Sequence, residues 1–302
     1  MVRIGIGVAT ITRIEETYAP AFAASTFFPA WDPSVLERHS GWMIPDHYEA
    51  ATGFLKLSVH SWLIEVGGRR ILIDTCVGNE KERPARPMWH RMQTAYLDRL
   101  TRAGVDPEDI DLVMCTHLHQ DHVGWNTRLV DGRWRPTFPN ARYLLSRIEY
   151  EGSLKREQDP RTAPANLGSF RDSIVPVVEE GLADIVDAPL RLDEFLSIEP
   201  GPGHTPGHIV IHLESGGERG VFPGDIIHSA IQLYRPEWNC FVCIDAEQAR
   251  ATRRRVLDEC ADSQSLLMPT HFGAPFACHV EREGDAFRPR FLASDPRART
   301  TQ

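Results

Sequence analysis

The stretch Thr116-His117-Leu118-His119-Gln120-Asp121-His122 places three imidazoles and a carboxylate within six positions. Such donors suit zinc, iron, cobalt or manganese. His117 and His119, two residues apart, point the same way if the chain is still extended there. Asp121 and His122, beyond a bend, can face a second point a few ångströms on. One metal rarely takes four ligands so crowded, so the layout predicts two ions sharing a cleft. Burying this many polar groups with no cation among them would be costly.

Three later points supply further donors, each where an apolar run gives way to a turn. In Gly203-His204-Thr205-Pro206-Gly207-His208 the glycines and proline fix a sharp loop that leaves His204 free to face a cleft. His208 is the alternative ligand, but it begins the next strand and reads as structural. Phe222-Pro223-Gly224-Asp225 presents a carboxylate, and Met268-Pro269-Thr270-His271 an imidazole, in the same way.

These groups need strands to carry them. Leu112-Val113-Met114-Cys115 is uniformly apolar and reads as a strand buried on both faces, delivering the histidine motif at its end. Residues 55–66 and 70–74 read as a hairpin about Gly67-Gly68. Asp74 closes an apolar run, where it could brace the loop of His117 by hydrogen bonds or simply form a turn. Further strands are expected over 2–14 (Val2, Ile4, Ile6 and Val8 on one face), 141–145, 184–186, 196–199, 209–213, 220–222 and 266–268. The spacing of Met92, Tyr96 and Leu100 predicts a helix over 88–103 that stops at Gly104. A second helix is expected over 245–261, with Asp245 as its N-cap and Gln248 three residues on. Residues 15–54 lose periodicity but are rich in aromatics and prolines. They read as an arm packed on the core or on another subunit, or as an aromatic cover over the active-site mouth. A homodimer through this arm belongs to the first of those readings. No linker or repeat divides the chain, so residues 1–302 are read as a single domain of two similar strand-then-helix halves.

Composition bounds the partners. A hydrophobic content of 42% supplies a core, and a net charge of -9 opposes a polyanionic partner such as nucleic acid or an anionic membrane. No apolar run is long enough to span a bilayer, and the N-terminal residues lack a secretory pattern. The six cysteines read as reduced packing residues; Cys240-Phe241-Val242-Cys243 alone has a suggestive spacing, and one such pair is weak for zinc or redox work. The expected compartment is the cytoplasm.

The succession H-x-H-x-D-H, G-H-T-P-G-H, G-D and a late strand-end histidine, over about residues 55 to 275, resembles the metallo-β-lactamase superfamily. The resemblance implies an α/β fold, an αββα sandwich of two mixed β-sheets flanked by helices. It implies two divalent ions, zinc foremost, with manganese, cobalt or iron as alternatives. His117, His119 and His204 would hold the first, Asp121, His122 and His271 the second, and Asp225 would bridge both. Leu72-Ile73-Asp74-Thr75-Cys76 resembles the strand that supports such a site, with Cys76 where glycine is usual, a departure expected to bear on packing more than on chemistry. The run from Gly224 to Gln232, followed by Pro236-Glu237-Trp238 and Asp245, is similar to the methyl parathion hydrolase branch and its lactonase neighbours. Acyl-homoserine lactonases generally carry a tyrosine shortly after the bridging aspartate. Here His228 occupies that region, either steadying the substrate oxygen or supporting the ligands.

Two ions about 3.5–4 Å apart can hold a bridging hydroxide at neutral pH. The expected reaction is therefore the opening of a small lactone or cleavage of a carboxylic ester, with Asp121 or a bound water protonating the leaving oxygen. Phosphotriester cleavage is the alternative. A β-lactam substrate is disfavoured by the lack of an export pattern, and a glutathione thioesterase by the lack of an evident basic clamp. A di-iron redox enzyme would replace the second histidine with an acid and add a flavin domain, whereas His119 is intact. A nuclease is opposed by the charge.

Overall fold

A computed structural model of the chain describes residues 2–159 and 161–292. Its first part lays down one sheet from β1 (Arg3–Ile6), β2 (Ala9–Ala23), β3 (Tyr48–Glu49), β4 (Phe54–Val66), β5 (Arg69–Ile73) and β6 (Leu112–Met114). A separate hairpin, β7 (Thr127–Val130) and β8 (Arg133–Pro136), precedes the last two strands of that sheet, β9 (Arg142–Ser146) and β10 (Ala183–Val186). The order is β1-β2-β4-β5-β6-β9-β10, with β3 also paired to β4. The second sheet runs in sequence through β11 (Leu190–Arg191), β12 (Leu196–Pro200), β13 (Ile209–Ser215), β14 (Glu218–Phe222), β15 (Leu266–Leu267), β16 (Cys278–Glu283) and β17 (Ala286–Phe291). Both sheets mix parallel and antiparallel pairs: β5, β6, β9 and β10 are parallel neighbours, as are β14 and β15.

Side-chain alternation along these strands builds the layers. Ile71 and Ile73 of β5, Leu112 and Met114 of β6, and Ile209, Ile211 and Leu213 of β13 meet in one cluster between the sheets. The intervening Leu72 and Val113 turn outward onto Tyr96 and Leu100 of the helix Tyr96–Arg102. On the second sheet Val210, Val221 and Leu267 turn outward onto Val256, Leu257 and Cys260 of the helix Ala246–Ser263. Helix, sheet, sheet, helix follows, and central strands with apolar groups on both faces explain the uniformly apolar runs in the sequence. No described helix is long and apolar enough to cross a membrane.

Three expectations about elements need correction. The first strand does not run from 2 to 14: it breaks at Gly7-Val8 into the β1–β2 hairpin, and β2 continues to Ala23, well into the segment read as an arm. Register shifts against β4 between Glu15 and Thr17 and between Pro20 and Phe22 disturb the alternation and hide the strand. The rest of the arm includes two helices, Ala24–Phe27 and Val35–Met43, and its Phe27, Phe28 and Met43 are buried with Leu55, Leu57, Ile231 and Trp238. Only Tyr96–Arg102 of the helix expected over 88–103 forms. Arg91 takes a φ of 49°, its N–H donates to the carbonyl of Lys81, and the N–H of Glu80 donates to Met92, so tertiary pairing replaces the helical bonds. Strands β16 and β17 had no reading in the sequence at all.

Candidate metal centre

The candidate ligands follow the C-terminal ends of four strands: His117, His119, Asp121 and His122 after β6, His204 after β12, Asp225 after β14 and His271 after β15. Strands β5 and β6 run parallel in one sheet, and β12, β14 and β15 share one direction in the other. Loops leaving strands of common direction gather at one edge, so residues 154 positions apart meet there.

The structure brings all seven together in two groups of converging donor atoms, His117, His119, His204 and Asp225 in one and Asp121, His122 and His271 in the other. Asp225 faces both. Its Oδ1 lies 3.1 Å from Nε2 of His122 and 3.1 Å from Nε2 of His271, while its Oδ2 lies 3.3 Å from Nε2 of His204 and 3.8 Å from Nε2 of His117. Nδ1 of His119 sits 2.9 Å from Nε2 of His204. Asp121 Oδ2 is 3.5 Å from Nε2 of His271 and 4.0 Å from that of His122.

Groups outside this cluster decide which ring nitrogen faces it. His122 donates from Nδ1 to Oδ2 of Asp74 at 2.8 Å, and His271 donates from Nδ1 to the Ser58 carbonyl at 2.7 Å. Nε2 is therefore the nitrogen each ring turns inward, the one a cation would take in place of a proton. Nδ1 of His117 lies 3.1 Å from the Thr116 hydroxyl. Asp74 also accepts from the N–H of Thr116 at 2.8 Å and from its hydroxyl, so of its two readings the brace is the one present. His208, read as structural, accepts the N–H of Asp225 on Nε2 at 3.1 Å and so orients the carboxylate that faces both groups. Gly224 is required here: its φ is 49°, and a Cβ would sit 2.6 Å from His208 Nε2 and 2.7 Å from the Thr116 hydroxyl.

Cys76 is buried in the core. Its φ of 54° lies in the left-handed region that favours glycine, so the departure is felt in the backbone. Three main-chain bonds clamp this segment to the histidine loop: Thr75 N–H to His122, Gly124 N–H to Cys76 and Trp125 N–H to Thr75.

Nε2 of His117, Nε2 of His122 and Oδ1 of Asp225 are buried with no hydrogen-bond partner. Polar atoms aimed at one point and left unpaired are what a cation would satisfy, and the nitrogen-and-carboxylate set suits a divalent one. Electrostatics agree. Burial, with His122 and His119 nearby, pushes the His117 imidazolium well below its usual range, leaving a neutral base. Burial opposes charge on His122 too, but Asp225, Asp74 and Asp121 outweigh it and raise that group well above its ordinary value. His271 is raised for the same reason, chiefly by Asp225 against burial. The second group thus sits in a field that draws positive charge.

The cluster opens into a cavity of about 330 Å³. Phe22, Phe27, Leu57, Trp89, Phe241 and Ile244 supply its apolar wall, and His119, Asp121, Asp225, His228 and His271 its polar floor. Phe22 and Phe27 belong to the segment read as an arm. His228 is buried, with Nε2 3.1 Å from Oδ2 of Asp225, and burial lowers its pKa, favouring the neutral ring.

Two carboxylates escaped sequence reasoning. Glu149 accepts from the N–H of Leu118 at 3.3 Å and of Gly207 at 2.9 Å, tying together the loops of His119 and His204. Glu16, at the bulge in β2, accepts from the N–H groups of Val77 and Gly78 and from the Trp125 indole. A glutamate in a bulge that disturbs alternation was the available signal for Glu16; Glu149 in a charged helix had none.

The family model of the metallo-beta-lactamase superfamily matches residues 55–271. Ribonuclease TTHA0252 of Thermus thermophilus is 30% identical over 174 residues, covering 54% of this chain and 34% of that protein. An N-acyl homoserine lactonase of Bacillus thuringiensis is 26% identical over 173 residues, covering 53% of this chain and 60% of that protein. The chain therefore spans only about a third to three fifths of the lengths of these relatives. Among solved structures, the hydrolase AbOPH superposes with a TM-score of 0.79 at 22% identity over 96% of both chains. AidC, a dizinc quorum-quenching lactonase, superposes with a TM-score of 0.76 at 22% identity over 97% of both. These two likenesses speak to the fold.

Proposed function

The chain belongs to the metallo-beta-lactamase superfamily, and on that footing we propose that it is a dinuclear metal-dependent hydrolase that opens a small lactone or cleaves a carboxylic ester. The observation that carries this reading is the convergence of seven donors, three of their atoms unpaired and buried, at the floor of an apolar cavity. His117, His119 and His204 would hold one divalent cation, Asp121, His122 and His271 the other, with Asp225 shared; zinc fits the donor set best, and manganese, cobalt and iron remain chemically suited. Bound there, the pair supplies hydroxide at neutral pH and polarises a carbonyl.

The chain's own residues do the rest. Phe22, Phe27, Trp89 and Phe241 exclude water and hold an apolar acyl or aryl group. Asp121, on the cavity floor, is placed to pass a proton to the leaving oxygen. His228, beside Asp225, steadies the substrate oxygen. An uncharged phosphotriester would also suit these walls and is the alternative substrate class. Net charge opposes a polyanion, and six free thiols fit a reducing compartment such as the cytoplasm.

Purified protein should carry close to two ions per chain at the seven donors. His117→Ala should lose turnover while its far-ultraviolet dichroism is unchanged; an unaltered rate would overturn the assignment. A panel of lactones, aryl esters and phosphotriesters would identify the bond class, and hydrophobic members should outpace small hydrophilic ones.

A further inference from the structure

His204 turns Nε2 toward His119 and Asp225, and this leaves its other ring nitrogen to a different pair of groups. Nδ1 lies 3.8 Å from Sγ of Cys243 and 4.0 Å from Sγ of Cys240, and the two sulfurs lie 3.4 Å apart. Around one tetrahedral zinc with bonds of about 2.3 Å to sulfur and 2.0–2.1 Å to nitrogen, two sulfurs lie about 3.8 Å apart, and sulfur and nitrogen about 3.6 Å. The three observed separations fall within a few tenths of an ångström of that triangle. Cys240 is buried and Cys243 half-buried, so one side of the triangle is open to exchange.

We propose that Cys240, Cys243 and Nδ1 of His204 form a separate site for a thiophilic divalent cation such as zinc or cadmium. It shares an imidazole with the seven-donor cluster but uses the opposite ring nitrogen. Both cysteines also belong to the apolar cluster beside the cavity and lie within thiol hydrogen-bond reach of Nδ1, but the near-equal separations of the three atoms are those a soft cation selects. Binding releases the two thiol protons and the Nδ1 proton to solvent, making His204 a bridging imidazolate when both nitrogens are engaged. His228 Nε2, 3.5 Å from Cys240 Sγ, stays committed to Asp225 Oδ2 at 3.1 Å. The fourth position is therefore left to water or to an exogenous ligand. Because Phe241, Val242 and Ile244 line the cavity, the segment holding the sulfurs is also a wall of the substrate site.

The test uses full-length protein, reduced and preloaded with two equivalents of zinc, then titrated with cadmium. One further equivalent should bind with a thiolate-to-cadmium charge-transfer absorption in the near ultraviolet, and the band should weaken in Cys240→Ser and in Cys243→Ser and vanish when both are substituted. In the wild-type protein, cadmium should also protect Cys243 from alkylation, a readout that needs no variant. Absence of the band and of protection in the wild type would overturn the site, as would a band that survives both substitutions. A disulfide between the two cysteines in freshly purified protein, found by mass spectrometry, would replace it with a redox pair. The seven-donor cluster contains no sulfur and cannot give the band, so failure here leaves the hydrolase reading standing, and failure of His117→Ala leaves this one.

Discussion

Asp74→Asn isolates the contribution of a residue that touches no cation. The carboxylate serves the Thr116 N–H with Oδ1 at 2.8 Å, and His122 Nδ1 with Oδ2 at 2.8 Å. Asparagine keeps one oxygen and gains one NH₂. If the oxygen stays on Thr116, the NH₂ meets Nδ1 of His122, which must surrender its proton and accept. The proton then moves to Nε2, and the lone pair that faces the cluster is gone. If the amide flips, its NH₂ opposes the buried Thr116 N–H, and leaving such a donor unpaired costs about 1–3 kcal/mol. Either outcome lies in the range where loss of an outer partner weakens metal affinity by about 10–100-fold, or about 1.4–2.7 kcal/mol. Chelator competition followed by metal analysis should show the variant losing one ion per chain before the wild type loses any, while excess metal restores much of the rate. Retention of both ions with affinity within about twofold of wild type would show that Asp74 does not select the His122 tautomer, and the outer-partner argument would fail with it.

Removing the cations with a chelator should lower the unfolding temperature, since each ion bound only by the native state adds about 2.7 kcal/mol at a hundredfold excess over its dissociation constant; calorimetry showing the same transition with and without metal would contradict the buried, unpaired donors. Gly224→Ala forces a Cβ against His208 and Thr116 at a left-handed φ, and should destabilise by about 2–4 kcal/mol in urea titrations and displace Asp225 enough to depress turnover at saturating metal. Burial pushes Lys81 down to about 7 despite Asp172 beside it, with Arg83 adding to the fall. Its native pKa lies below the unfolded one, so between about pH 7 and 10 the unfolded chain binds more protons and stability rises with pH, by up to about 1.4 kcal/mol per unit from this group. The difference in unfolding free energy between wild type and Lys81→Met should therefore change across pH 7.5–9.5 and level off below 7; a difference independent of pH would mean Lys81 keeps an ordinary affinity for its proton.

The parts of the site legible in the sequence were those whose information is local. Histidines crowded after an apolar run, and His204, Asp225 and His271 at turns closing other apolar runs, declare themselves because a strand must stop where its backbone leaves the sheet, and donors placed there are exposed to whatever lies beyond the edge. Strand β2 was obscured by its two register shifts, which break the alternation on which a strand is recognised. The helix over 88–103 was overstated because periodicity cannot see that residues 91 and 92 find main-chain partners at 81 and 80. Outer partners were mostly invisible: Ser58 and Glu149 act on groups 213 and 31 positions away with nothing in their own neighbourhoods to mark them, and Glu16, acting 109 positions off, is signalled only by the broken alternation around it.

The outer partners also show where the centre is firmly set and where it is open to influence. His122 and His271 each commit Nδ1 to an oxygen that can only accept, a carboxylate in one case and a peptide carbonyl in the other, so the nitrogen each turns inward is fixed by the fold. His208 fixes Asp225 through the main chain, a contact no change of protonation at the carboxylate would break. His204 differs, because its outward nitrogen meets two sulfurs whose own state can change by ionisation, oxidation or coordination. Imidazole transmits such a change from one ring nitrogen to the other, so the donor strength His204 offers to the cluster depends on chemistry at Cys240 and Cys243. The same segment carries Phe241 and Ile244 into the cavity wall. The fold thus pins two imidazoles with oxygen acceptors, sets His117 against a hydroxyl that can donate or accept, and leaves His204 facing groups that can themselves be oxidised or bind a cation.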